Sequence, residues 1–267
     1  MEQLEYQKKC FSTHRFPTPN QLVMDEDKSP NKQNWSEMSP KALHLGRYVA
    51  SRNGVTLRYT IQTVTPELSE DVIDHMKYYL QREPLISHDN LLGDPSSYKS
   101  YKTLWRKAIS NGVSLVALEE TQTGSPKVIG ANVIYVAEKD QVDDTKYEGK
   151  IFNHVMNAFK EITNRGKIYE KYGINRYLAA HGLTVHPEYH GCDIGYRLLQ
   201  CRKPLCKELG ITATGTVFTA KVSQHLASKV GFEVLSVEDY QSFEVDGEKS
   251  YEDVEGDIRF MGLKYNK

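Results

Sequence analysis

The chain has 267 residues, 39% hydrophobic and 26% charged, and its 34 Lys and Arg against 35 Asp and Glu leave a formal net charge of -1. That length buries one sizeable core and suits one catalytic domain with an appendage better than two equal domains. Near-neutral charge argues against a nucleic acid gripped through its phosphates or a membrane surface as partner, and no apolar run approaches the roughly 20 residues of a spanning helix.

Residues 1 to about 50 are rich in Pro, Asn, Ser, Gln and Lys, with clusters such as Phe16-Pro17-Thr18-Pro19-Asn20 and no sustained apolar period. They read as a largely disordered polar leader, with the folded domain over residues 55–267. The alternating, β-branched run from Leu57 to Val64 predicts a first strand. Thr65-Pro66-Glu67 then supplies helix-start chemistry for a segment whose Val72, Ile73, Met76 and Leu80 share helical spacing. Pro84 restricts Glu83 away from the α region and ends that helix. A second helix is predicted over 98–110, then antiparallel strands over 113–119 and 128–137, and a long helix from about Tyr147 to Tyr172. A strand over 177–185, a helix over 194–209 with a break at Pro204, a strand over 212–218 and a helix over 222–229 follow, and Val230-Gly231-Phe232 leads into closing strands. This order predicts a mixed α/β domain.

The segment MEQLEYQKKC lacks the apolar stretch of a signal peptide, so a cytoplasmic location is expected. Cys10, Cys192, Cys201 and Cys206 lack metal-ligand spacing and read as reduced thiols, with no metal site.

The most informative segment is Leu183-Thr184-Val185-His186-Pro187-Glu188-Tyr189-His190-Gly191-Cys192-Asp193-Ile194-Gly195-Tyr196-Arg197, a strand running through a glycine-containing turn into an amphipathic helix. Unpaired backbone N–H groups and the positive end of a helix dipole converge there, which is an arrangement that cradles phosphate. The segment resembles the pyrophosphate loop of the GNAT superfamily of acetyl-CoA-dependent N-acetyltransferases, whose pattern of Gln or Arg, two residues, Gly, any residue, then Gly or Ala is framed here from His190 to Gly195. His190 stands where Gln or Arg is usual, and Asp193 where the middle Gly is usual. The resemblance implies the GNAT fold, a central, mostly antiparallel twisted sheet flanked by helices, with splayed central strands forming the acetyl-CoA cleft. It also implies acetyl-CoA contacts from Leu183, Thr184, Val185, His190, Gly191, Cys192, Asp193, Ile194, Gly195 and Arg197, the backbone amide near Val185 polarising the thioester carbonyl.

Within the superfamily, Arg82-Glu83-Pro84-Leu85 resembles the Asp-Glu-Pro-Leu signature of insect arylalkylamine N-acetyltransferases, Arg82 departing from the Asp. Val217-Phe218-Thr219-Ala220-Lys221-Val222-Ser223 resembles the stretch where those enzymes carry two hydroxyl residues four apart. An alkylamine is protonated at neutral pH and must lose a proton before it attacks a thioester. The resemblance puts Glu83 at the general-base position, against the competing reading of an exposed helix-end glutamate. His181, two positions before Leu183-Thr184-Val185, is a second candidate for proton relay or else a core histidine. Thr219 and Ser223 either serve the thiol end of the donor or cap the helix that follows. A tyrosine acid is common in the superfamily four residues before the Gly-Phe pair, where this chain has Ala227. Asp193 beside a pyrophosphate costs roughly 1 kcal/mol in bulk water and about 3 kcal/mol at an effective dielectric near 20. A pair between Asp193 and Arg197 at i,i+4 spacing would offset this.

The sequence therefore reads as an acetyl-CoA-dependent N-acetyltransferase acting on a small arylalkylamine by direct attack in a ternary complex, a monomer or weak homodimer whose partner is a small-molecule amine. A polyamine, agmatine-like or protein amine as acceptor is one alternative, and a non-catalytic acyl-CoA-binding protein is another.

Overall fold

The computed structural model describes residues 42–52, 54–121 and 126–266. Strands β1 (His44–Arg52) and β2 (Val55–Thr63) pair as an antiparallel hairpin. The expected leader therefore ends too late in the sequence. Leu45, Tyr48 and Ala50 turn inward against Tyr59 and Ile61, and an irregularity between His44 and Gly46 obscures their alternation. The first 41 leader residues, Cys10 among them, lie outside the described residues.

Helices α1 (Ser69–His75) and α2 (Lys77–Leu80) follow, separated at Met76. Pro84 ends this run as expected, with Glu83 extended at φ -69° and ψ 123°, and it also opens α3 (Pro84–His88), because a first-turn position needs no N–H. Helix α4 (Pro95–Ser110) is capped by Asp94, whose side chain accepts from Ser96 N at 3.1 Å. Strands β3 (Leu115–Glu119) and β4 (Lys127–Glu138) are antiparallel; residues 122–125 of their connection lie outside the described residues. The single long helix expected next is two, α5 (Lys150–Arg165) and α6 (Ile168–Tyr172). Lys167 between them is left-handed at φ 44°, and a Cβ on Gly166 would come within 2.5 Å of Phe260. Close packing on the sheet thus bends the chain there.

Strand β5 (Arg176–Val185) leads through the glycine turn to α7 (Ile194–Gln200) and α8 (Arg202–Leu209), which part at Cys201 rather than at Pro204. Pro204 sits in the first turn of α8, where it disrupts nothing. Then come β6 (Ala213–Phe218), α9 (Lys221–Val230), β7 (Glu233–Asp239), the short pair β8 (Glu244–Val245) and β9 (Glu248–Lys249), and β10 (Asp257–Lys264). No helix among the described residues is long and apolar enough to cross a membrane.

The main sheet runs β1-β2-β3-β4-β5-β6-β10-β7, antiparallel except for the central pair β5/β6. One face is covered by α1, α2, α4 and α5 through Val72, Leu80, Trp105 and Phe152, and the other by α7 and α8 through Ile194, Leu198 and Leu205. Strands β5 and β6 share register at Leu178 and Thr214, where Thr214 Oγ1 donates to Leu178 O at 2.8 Å, and then part. The edge of β5 beyond Ala179 consequently faces an opening. Strand β5 also carries a bulge, since Leu183 pairs Asn132 while Ala180 pairs Ile134, three steps against two. The extra residue, at His181 and Gly182, flips the side-chain alternation so that Leu183 and Val185 face α7.

Candidate active site

The turn after β5 has the backbone that a phosphate cradle needs. Gly191 is left-handed at φ 84°, and a Cβ built there would meet nothing within 4 Å, so the space beside it is open. Asp193 is also left-handed, at φ 59°, a conformation Asp tolerates better than most residues, and its side chain makes no capping bond. A Cβ on Gly195 would reach Leu226, Leu183 and Val185 at ordinary contact distances of 3.4 to 3.7 Å. Tyr59 OH donates to Cys192 O at 3.3 Å, and Tyr189 OH donates to Glu119 at 2.6 Å while taking a bond from Lys127. These bonds tie the turn to β2, β3 and β4. The expected Asp193–Arg197 pair does not form. The Arg197 guanidinium donates to Gln200 at 2.9 Å and lies 5.3 Å from the Tyr48 ring, so aromatic contact wins over the carboxylate. Two arginines outside the sequence motif reach the turn instead. Arg52 donates to Glu188 O at 2.6 Å, and Arg82 Nη1 lies 2.8 Å from His190 Nε2.

Glu83 is 3% exposed, which removes the competing reading of an exposed helix end. Its Oε2 accepts from Ile86 N at 2.6 Å as the N-cap of α3, while Oε1 has no hydrogen-bond partner among the described residues. Burial raises its pKa to about 7, opposed by the Ile86 N–H and by the neighbouring Thr219 hydroxyl, and helped by the Asp89 charge. Four phenols, Tyr79, Tyr101, Tyr240 and Tyr251, interact electrostatically with the carboxylate, and each has its own ionisation pushed upward by burial. They come from α2, α4 and the segments flanking β8 and β9. A carboxylate within an aromatic wall can take a proton near neutral pH and hold an ammonium against ring faces.

The other expected residues divide. Thr219 joins Glu83, and its carbonyl accepts from Tyr240 OH at 2.9 Å. Ser223 instead donates to Ala220 O at 2.7 Å, the carbonyl at the start of α9, and neither hydroxyl caps that helix. His181 stacks on Tyr135, ring centroids 4.1 Å apart, and burial pulls its pKa down to about 3, so its imidazole is neutral. Among the described residues no hydrogen bond, ion pair or ring contact joins it to Glu83. A histidine absent from the sequence reading lies nearer the strand end: His75 is 6% exposed, bonds the Thr184 backbone, and leaves Nε2 without a partner.

No protein-family model matches the chain, and no curated protein matches it in sequence. Solved structures do. An Aedes aegypti (yellow fever mosquito) protein named as insect arylalkylamine N-acetyltransferase 7 superposes with a TM-score of 0.80 at 27% identity, over 88% of this chain and 100% of that one. The mosquito arylalkylamine N-acetyltransferase like 5b gives 0.65 at 22% identity, over 77% and 99%. The Drosophila melanogaster polyamine N-acetyltransferase, which forms N-acetylagmatine, gives 0.62 at 15% identity, over 77% and 99%. The chain is a GNAT N-acetyltransferase resembling the insect arylalkylamine enzymes.

Acetyl-CoA is the acyl donor of this GNAT N-acetyltransferase, and the residues present fit it: the parted β5 and β6 leave a cleft, and the open backbone at Gly191 leaves room for phosphate. Sequence reasoning missed Arg52, His75, Tyr240 and Tyr251. The strand carrying Arg52 offered no clean period-2 signal, because the irregularity near His44 breaks the alternation of Leu45, Tyr48 and Ala50. No local pattern marks the two tyrosines, whose place depends on how the closing segments fold back over Glu83.

Proposed function

We propose that this GNAT N-acetyltransferase acetylates a small arylalkylamine by direct attack in a ternary complex, with Glu83 as general base. The observation that carries this reading is the buried Glu83 carboxylate, one oxygen unpartnered and pKa about 7, within the ring wall of Tyr79, Tyr101, Tyr240 and Tyr251. The ammonium gives a proton to Glu83 and the freed nitrogen attacks the thioester carbonyl carbon. The tetrahedral adduct then expels the CoA thiolate, which takes up a proton as the nitrogen loses its second. Thr219 steadies the carboxylate, and the donor runs from the Leu183-Thr184-Val185 edge to the turn from His190 to Gly195. His181, stacked and neutral, holds the shape of the β5 bulge in this reading.

An agmatine-like or polyamine acceptor is the second reading, favoured by Asp89, whose charge reaches Glu83. Both Asp89 oxygens are already bonded, one to His88 at 2.7 Å and one by Tyr251 OH at 3.1 Å, which leaves the aromatic amine ahead. We place the enzyme in the cytoplasm as a monomer or weak homodimer; the described cysteines Cys192, Cys201 and Cys206 are free thiols, in keeping with a reducing compartment.

The test is thiol release from acetyl-CoA with tyramine, dopamine, serotonin, agmatine and spermidine, for wild type and Glu83→Ala. Turnover led by an aromatic amine and largely lost in the variant is expected. Turnover led by agmatine or spermidine would replace the acceptor, and donor binding without turnover on any amine would leave a non-catalytic acyl-CoA-binding protein.

A further inference from the structure

We infer that Arg82 is a phosphate ligand for the acyl donor, reaching the phosphate turn from the loop that carries the base. This rests on the functional reading above. The turn itself offers little positive charge, because His190 stands at its start, Asp193 is an acid within it, and Arg197 is directed to Gln200 and the Tyr48 ring. The cations that do reach it come from elsewhere: Lys127, held on Tyr189, Arg52 at the end of β1 and Arg82 between α2 and α3. Burial first, and then the charges of Arg82 and Arg52, lower the pKa of His190.

The contact that holds Arg82 is replaceable. His190 Nε2 lies 2.8 Å from Arg82 Nη1 and 3.0 Å from Val185 O. One ring nitrogen cannot both donate to a carbonyl and accept from a guanidinium, so in either tautomer one of these contacts is unsatisfied. Arg82 is exposed and no carboxylate pairs with it among the described residues. A phosphate beside Gly191, where the space is open, offers the guanidinium charge-assisted bonds in place of the contested one. Arg82 adjoins Glu83 in the chain, so the group that senses the donor and the group that deprotonates the acceptor share one turn.

The experiment compares wild type, Arg82→Ala, Arg82→Lys and Arg52→Ala by calorimetric titration with CoA at low and high salt, and by turnover with acetyl-CoA and with S-acetylpantetheine, which lacks phosphates. Arg82→Ala is expected to raise the CoA Kd and the acetyl-CoA KM about tenfold at low salt, less at high salt, and to leave the S-acetylpantetheine KM unchanged. Arg82→Lys should recover part of the loss, and Arg52→Ala should act in the same direction. Wild type that binds CoA with a Kd unmoved by Arg82→Ala overturns this inference alone. An equal loss with both donors also overturns it, assigning Arg82 to bracing the Glu83 turn. Wild type that binds no CoA overturns the functional reading beneath it.

Discussion

The two ends of the site are built on opposite electrostatic terms. The glycine turn is reached by exposed arginines and shaped by backbone geometry at Gly191 and Asp193, where water screens each charge. The other end is buried: Glu83 is 3% exposed, near the buried Tyr101, Tyr240 and Tyr251 and the half-buried Tyr79, and its pKa is set first by the loss of water. The same carboxylate chemistry thus has different consequences at the two ends. In the proposed mechanism Asp193 is a mild local repulsion, whereas Glu83 is a proton acceptor whose pKa burial raises to about 7.

Removing the base should give the largest effect. Glu83→Ala is expected to lower kcat/KM by roughly 10²- to 10⁴-fold while leaving the CoA Kd within about twofold, as steady-state kinetics and calorimetry would report. Parallel losses in both would erase the distinction between the two ends.

A stability measurement comes next. The folded pKa of Glu83 is raised, so its favourable contribution is complete below the unfolded value of 4.5 and is lost as pH rises through about 7. Glu83→Gln keeps an oxygen for Ile86 N and removes the buried charge. Its stability relative to wild type should therefore improve from pH 4.5 to pH 8 by on the order of 3 kcal/mol, read from denaturant unfolding at each pH. A flat difference would mean that Glu83 is not charged in a dry site.

Smaller effects sharpen the wet end. Asp193→Gly suits the left-handed backbone and removes the repulsion, so CoA should bind several-fold tighter at low salt, with the gain fading as salt rises. Unchanged affinity would sink the repulsion argument. Smallest of all, the acid limb of the kcat/KM profile, expected near pH 7, should move down by a fraction of a unit in Asp89→Asn, because the Asp89 charge raises the Glu83 pKa.

Much of this was legible along the chain because it depends on local chemistry. Alternation and helical spacing predicted most of the strands and helices between Leu57 and Val230, Pro84 marked the break at Glu83, and the glycines before Ile194 marked a turn between strand and helix. Position 193 was readable as a left-handed residue for the same reason, since Asp tolerates that geometry by itself. The misjudged places are those where distant packing decides. The bend at Lys167 comes from Gly166 lying against Phe260, the strand status of His44–Arg52 from its hairpin with β2, and the bulge at His181 from strand pairing with β4.

The sequence by itself determined the mixed α/β architecture, the turn that suits phosphate and the identity of the carboxylate next to Pro84, because propensity, periodicity and backbone allowance act over a few residues. Only the tertiary structure decided that Glu83 is buried and half-unpartnered, that Tyr240 and Tyr251 come near enough to interact with its charge, that Arg197 turns from Asp193 to aromatic rings, and that Arg82 reaches His190 from 108 residues away. Burial, and with it the pKa of a carboxylate, is a property of everything packed around a residue, and no local stretch of chain carries that information.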